Sequence, residues 1–174
     1  MSENTKIEIP ATTLAYLAGM IDGDGYISIT RSVRAGKEYF GAQVGIAGTR
    51  REPHDLAASL WGGVVSRYEP ANPNHRAQFQ WSRVGKVAAM VIDAIYPYLL
   101  IKKEHAELAL ALHEYVREAR AEDPFPWFAP DYDPLVHMRA MRDEMIALNQ
   151  SRNRVGKKAA GRLLDGRTWD EVPA

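Results

Sequence analysis

The chain has 174 residues, enough for one domain whose core needs no covalent staples. Its 46% hydrophobic and 25% charged residues match an ordinary globular protein, and the lack of cysteine excludes disulfides, thiolate metal sites and a cysteine nucleophile. Net charge is zero but unevenly spread: residues 26–53 and 66–87 each carry a surplus of three cations, 149–162 are basic without an acid, and 104–123 are acid-rich. The apolar run "VAAMVIDAIYPYLLI" is broken by Asp93 and Pro97 and is too short for a bilayer. The start "MSENTKIEIP" lacks a secretory pattern, so the expectation is a cytoplasmic protein with no membrane partner.

Residues 12–23 place Leu14, Leu17, Ala18 and Ile21 at helical spacing, with Thr12 or Thr13 available as N-cap after Pro10. From Tyr26 the period becomes two: Ile27 and Ile29 alternate with Tyr26, Ser28, Thr30 and Ser32. After the turn "RAGK", the stretch "EYFGAQVGIAG" reads as a second strand, with Tyr39, Gly41 and Gln43 on one face and Phe40, Ala42 and Val44 on the other. "PHDLAASLWG" predicts a helix stopped by Gly62 and Gly63. "GVVSRYE" and "HRAQFQWS" predict two more strands around "PANPN". Helices follow over "VGKVAAMVIDAIYPYL", "KKEHAELALALHEYVREAR" and, past a loop, "LVHMRAMRDEMIALN". That loop carries Pro124, Phe125, Pro126, Trp127 and Phe128, read as a hydrophobic clamp for the C-terminal helices. The whole is an α+β chain of order αββαββα with an antiparallel sheet and extra C-terminal helices. It forms one domain over 1–174, of which 124–174 are a helical extension and basic tail.

An antiparallel sheet with one apolar face under helices leaves a polar, basic face that is either simply solvated or a surface for a duplex. The join "MIDGDGY" places Asp22 and Asp24 at the C-terminal end of a helix, where the helix dipole makes carboxylates unfavourable. An Asp-Gly pair there reads as a turn, or as a cation site. His54, His75, His105, His113 and His137 are scattered without ligand spacing and suggest no zinc site.

Residues 17–25, "LAGMIDGDG", resemble the signature of the LAGLIDADG homing endonucleases, differing at Met20 and Gly23. The element order that follows is also that of the family, and "ALNQSRNRVGKKAAGRLLD" resembles the C-terminal region of its single-motif, homodimeric branch. The resemblance implies a site-specific endonuclease that cuts both strands of a long, near-palindromic duplex as a homodimer and takes no small-molecule substrate. It implies that Leu17, Ala18, Gly19 and Ile21 pack against their twins at the two-fold axis. It makes Asp24 the metal-binding catalytic carboxylate, with the carbonyl of Gly23 also facing the metal. The implied ion is Mg²⁺, with Mn²⁺ or Ca²⁺ as substitutes. By position, Arg50 and Lys102 become the basic groups near the cleavage centre, and Ile46 stands where the branch often has a water-ordering glutamine. Asp22 is read as structural.

DNA contact is expected from Ser28, Thr30, Ser32, Arg34, Lys37, Tyr39, Gln43, Arg67, Glu69, Arg76, Gln78 and Gln80 on the sheet, and from Arg152, Arg154 and Lys157 as a phosphate-gripping arm. The rivals are a non-cleaving nucleic-acid module, such as an RNA maturase, and a DNA-binding regulator.

Overall fold

A computed structural model describes residues 8–72, 74, 76–119 and 133–163, with backbone alone from 151. The elements run α1 (Ala11–Gly23), β1 (Gly25–Arg34), β2 (Lys37–Gly48), α2 (Glu52–Trp61), β3 (Ser66–Tyr68), β4 (Gln78–Val84), α3 (Lys86–Ile95), a 3₁₀ turn (Tyr96–Tyr98), α4 (Lys103–Glu118) and α5 (Pro134–Leu163). The four strands form one antiparallel sheet of order β1-β2-β4-β3. This is the α+β arrangement expected from the alternation of periods.

Two glycine-rich joints set the path. The β1–β2 hairpin closes through Ala35 (φ 48°) and Gly36 (φ 75°), the left-handed pair that matches strand twist in a two-residue turn. Gly62 (φ 68°) and Gly63 (φ 98°) end α2 as anticipated. The last two strands are shorter than read from sequence: β3 keeps only three residues, because it is an edge strand between those glycines and the proline-rich turn, with β4 its sole neighbour. The cap of α1 also differs. Pro10 occupies the N-cap, and its carbonyl accepts from the N–H groups of Thr13 (2.9 Å) and Leu14 (3.1 Å), so neither threonine caps the helix. At the other end of the chain, α5 continues as helix through 150–163, taking in what reads as a basic tail.

One face of the sheet builds the core. Ile27, Ile29, Phe40, Ala42, Val44, Ile46 and Trp81 are buried there against Leu17 and Ile21 of α1, Val91, Ile92 and Ile95 of α3, Leu112 of α4 and three methionines of α5. At about 25 cal/mol per Å² of apolar surface, each large side chain so buried contributes roughly 1.5–3 kcal/mol, which makes this layer the main source of stability. Among the described residues, no helix is long and apolar enough to cross a membrane.

Candidate nucleic-acid interface and catalytic carboxylate

Strand register sorts side chains by face, because directly paired residues project to the same side. Opposite the core face lie Arg34 with Lys37, Ser32 with Tyr39, Thr30 with Gly41, Ser28 with Gln43, and Tyr26 with Gly45. The series continues through Gly45 with Ser82, Ala47 with Gln80, Ser66 with Gln80, and Tyr68 with Gln78. All but Gly45, which lies beneath the Tyr26 ring, are half-buried or exposed, and Tyr39 and Tyr68 are 40% and 64% exposed. The expected DNA-facing residues Ser28, Thr30, Ser32, Arg34, Lys37, Tyr39, Gln43, Gln78 and Gln80 therefore share one open face, with Arg76 exposed in the loop entering β4.

Arg67 departs from this set. Its partner is Phe79, on the core side, and its guanidinium is paired with Glu69. A one-residue change of parity flips a side chain across the sheet; Ser66 and Tyr68, which the sequence reading passed over, take the places assigned to Arg67 and Glu69. Tyr26, which the alternating series already places on this face, is not among the expected contacts. Arg152, Arg154 and Lys157 fall on α5, but their side chains lie outside the described residues, as do residues 124–128.

Asp24 closes α1 as its C-cap, with its N–H bonded to the Met20 carbonyl at 2.9 Å. It is exposed, and no described residue donates to its carboxylate. Gly25 next to it permits the tight helix-to-strand join: a Cβ there would meet the Gly45 carbonyl oxygen and the Ile21 Cα, each at 2.6 Å. That join puts Asp24 at the end of the sheet where β2 departs, since Gly25 pairs with Ile46 and Arg50 follows two residues after β2. Arg50 is exposed, and His54 Nδ1 meets its carbonyl at 2.8 Å.

The two aspartates have opposite surroundings. Asp22 is buried, and its carboxylate accepts from the backbone N–H groups of Leu100 (2.7 Å), Ile101 (3.1 Å) and Lys102 (2.9 Å). Burial pushes its pKa up, but those three donors and the nearby Lys102 charge outweigh burial and hold it below the ordinary value. Lys102 Nζ in turn donates to the carbonyls of Ile21 (2.7 Å) and Asp22 (2.6 Å). A cation thus satisfies two orphan carbonyls of the helix end and offsets its dipole. Lys102 is brought to the site, but its ammonium is engaged with α1.

The expected seam on α1 needs correction. Leu17 and Ala18 are 0% exposed and Ile21 is 1% exposed within the single chain, so they pack into its own core and offer nothing to a second copy. Only Gly19 of the four is exposed; the outward face carries Thr12, Ala15, Tyr16, Gly19 and Gly23. Ile46 is likewise in the core at 0% exposure, so it has no access to a reacting water.

As a cation site the geometry is partial. Asp24 and the Gly23 carbonyl are hard oxygen donors suited to Mg²⁺ or Ca²⁺. Among the described residues, no cluster of three His, Asp or Glu side chains completes a metal site. The donors fit an ion only if phosphate, water or a second chain supplies the rest.

No family model matches the sequence, and no curated protein is similar to it. Solved structures are. The homing endonuclease I-CvuI, in complex with its target in the presence of 2 mM Ca, superposes with a TM-score of 0.59 at 17% identity, over 79% of this chain and 82% of that one. The meganuclease I-SmaMI, bound to uncleaveable DNA, gives 0.58 at 15% identity over 79% of this chain and 45% of its own. The homing endonuclease I-TnaI gives 0.52 at 11% identity, covering 82% and 97%. At such identities the likeness is one of fold: the chain has the LAGLIDADG homing endonuclease fold.

Proposed function

We propose that two copies of this chain form a site-specific endonuclease that cuts both strands of a near-palindromic duplex with a divalent cation. The observation that carries the reading is the exposed Asp24 carboxylate, without a donor among the described residues, at the end of a sheet whose open face is polar and basic. A charge at the wrong end of a helix costs stability, and Lys102 offsets that cost at the carbonyls of Ile21 and Asp22. Asp24 is left to bind something positive from outside.

The donor set supports a site shared between copies. One carboxylate and one carbonyl per chain are too few for a hard cation, whereas two chains meeting at α1 would bring two of each to the scissile phosphates. Tyr16, Gly19 and Gly23 line the outward face of α1, and a Cβ at either glycine would meet nothing within 4 Å, so a second helix can approach closely. Leu100 (87% exposed) and Ile101 (55% exposed), pinned to the end of α1 through Asp22, extend that face with apolar surface. A divalent ion held by Asp24 would supply an activated water and stabilise the leaving oxygen. Arg50 then faces the developing phosphate charge from the end of β2, and Lys102 keeps the helix end rigid. A two-fold assembly reads a target of two half-sites, on the order of 20 base pairs.

The test is cleavage of a library of duplex targets with Mg²⁺, comparing the wild type with Asp24→Asn. Wild type should cut a preferred sequence, and the variant should bind the same sequence while losing at least about a hundredfold in rate, the scale of losing one strong electrostatic contact to the transition state. Cutting by the variant, or binding without cutting by both, refutes the endonuclease. A strict monomer on DNA refutes the shared site.

A further inference from the structure

Tyr26, at the start of the edge strand β1, lies on the open face beside Gly45 of β2 and has no role in the catalytic scheme above. Its ring lies so close over Gly45 of the neighbouring strand that a Cβ there would meet Cζ at 2.6 Å and the hydroxyl oxygen at 2.7 Å. Two amides converge on that oxygen from different strands: Gln43 Nε2 of β2 donates at 3.4 Å and Gln80 Nε2 of β4 at 3.3 Å. The Gln43 carbonyl oxygen accepts from Ser28 Oγ at 3.2 Å, so one network joins β1, β2 and β4.

The donor and acceptor count gives the network a direction. A phenol oxygen has two lone pairs and one proton. Two amide N–H groups use both lone pairs, and the Tyr26 proton is left to donate elsewhere. Each glutamine keeps a second N–H and acceptor capacity on its carbonyl oxygen, the pair of groups with which an amide meets adenine in the major groove. At 3.3 and 3.4 Å both bonds are longer than the usual range of about 2.7–3.2 Å, so they bias the orientation of the amides, and each amide keeps its second N–H and its carbonyl oxygen for a base.

We propose that Tyr26 is a specificity-determining positioning residue: its hydroxyl fixes the orientation of Gln43 and Gln80 so that both present a set pattern of donor and acceptor to base edges. The proposal rests on the reading of this face as a DNA surface. A long amide side chain loses rotamer freedom when it binds, and one already held loses less. Holding two of them therefore sharpens discrimination between bases and leaves phosphate contacts, which carry the salt dependence, unchanged.

Binding profiles on a duplex library with randomised half-sites test this with wild type, Gln43→Ala, Gln80→Ala and Tyr26→Phe. The phenylalanine keeps the ring over Gly45 and removes only the hydroxyl, so folding is retained, which a thermal melt verifies. The two glutamine variants mark the base pairs each amide reads. Tyr26→Phe should flatten preference at those same positions by about fivefold, the low end of what a bidentate amide–base pair discriminates, with the salt slope unchanged. Preference intact at those positions, uniform weakening across all sequences, or flattening elsewhere overturns the proposal. If wild type selects no duplex, the DNA reading itself fails, which the first arm shows before any variant is compared.

Discussion

Asp22→Asn probes the division of labour between the two aspartates. In the wild type one carboxylate oxygen takes the N–H groups of Leu100 and Ile101 and the other takes that of Lys102. An asparagine in the same place keeps one oxygen for two of these donors and turns an NH₂ toward the third. Two charge-assisted bonds become neutral, a loss of about 1 kcal/mol each, and one half-buried N–H is left facing another donor, at about 1–2 kcal/mol more. The expected destabilisation is about 3 kcal/mol, or roughly 10 °C in Tm for a chain of this size. Urea and thermal melts at pH 7, run in chelator so that no cation contributes, give the measurement. Asp93→Asn, at an exposed position on α3, is the control and should stay within about 0.5 kcal/mol of wild type. A melt of Asp22→Asn within about 2 °C of wild type would refute the claim that this carboxylate ties α1 to the segment before α4.

Three further outcomes follow from the same geometry. Gly25→Ala should cost about 3 kcal/mol or more and yield little soluble protein, because its Cβ would meet backbone atoms of Ile21 and Gly45 at 2.6 Å that cannot swing aside; a soluble variant with a wild-type melt would show that the join is looser than described. Glu38 is held below its ordinary value of 4.5, first by its hydrogen bond from Arg31 and then by that from Arg139, so it secures α5 to β2 fully above about pH 4.5 and lets go as pH falls through the lowered folded value. Hydrogen exchange in α5, corrected for intrinsic rate, should therefore accelerate on acidification in wild type, while Glu38→Gln is already fast at pH 7; equal protection in the two is the contrary result. Finally, Arg34→Ala and Lys37→Ala, at the far end of the open face, should each lower the slope of log affinity against log salt by about one per half-site without changing which sequence is preferred. Fluorescence anisotropy over a salt series reads that slope, and a shifted preference would assign the pair to base contact instead.

What the sequence made legible and what it hid divide along one physical line. Periodicity states that a helix or strand has an apolar side; it does not state what covers that side. The strand series Ser28, Thr30, Ser32 and its partners came through intact because a sheet has only two faces and the isoleucines occupy one of them. For α1 the spacing gave the helix and its apolar side, Leu17, Ala18 and Ile21, which meet the chain's own core; the seam that the resemblance placed on them leaves only Gly19 outward, beside Ala15 and Gly23, small residues with almost no hydrophobic signal. In β3 the strand is so short that no alternation could establish parity, and Arg67 was assigned to the wrong face. The contacts that hold the site join residues far apart in the chain: Asp22 to 100–102, and Tyr26 to Gln80. Local spacing carries no trace of them. The aspartates illustrate the limit best, since both sit in one nine-residue motif with identical side chains. Only the arrival of three backbone donors and a lysine from eighty residues away makes one of them a structural anchor, while among the described residues no such donor reaches the other.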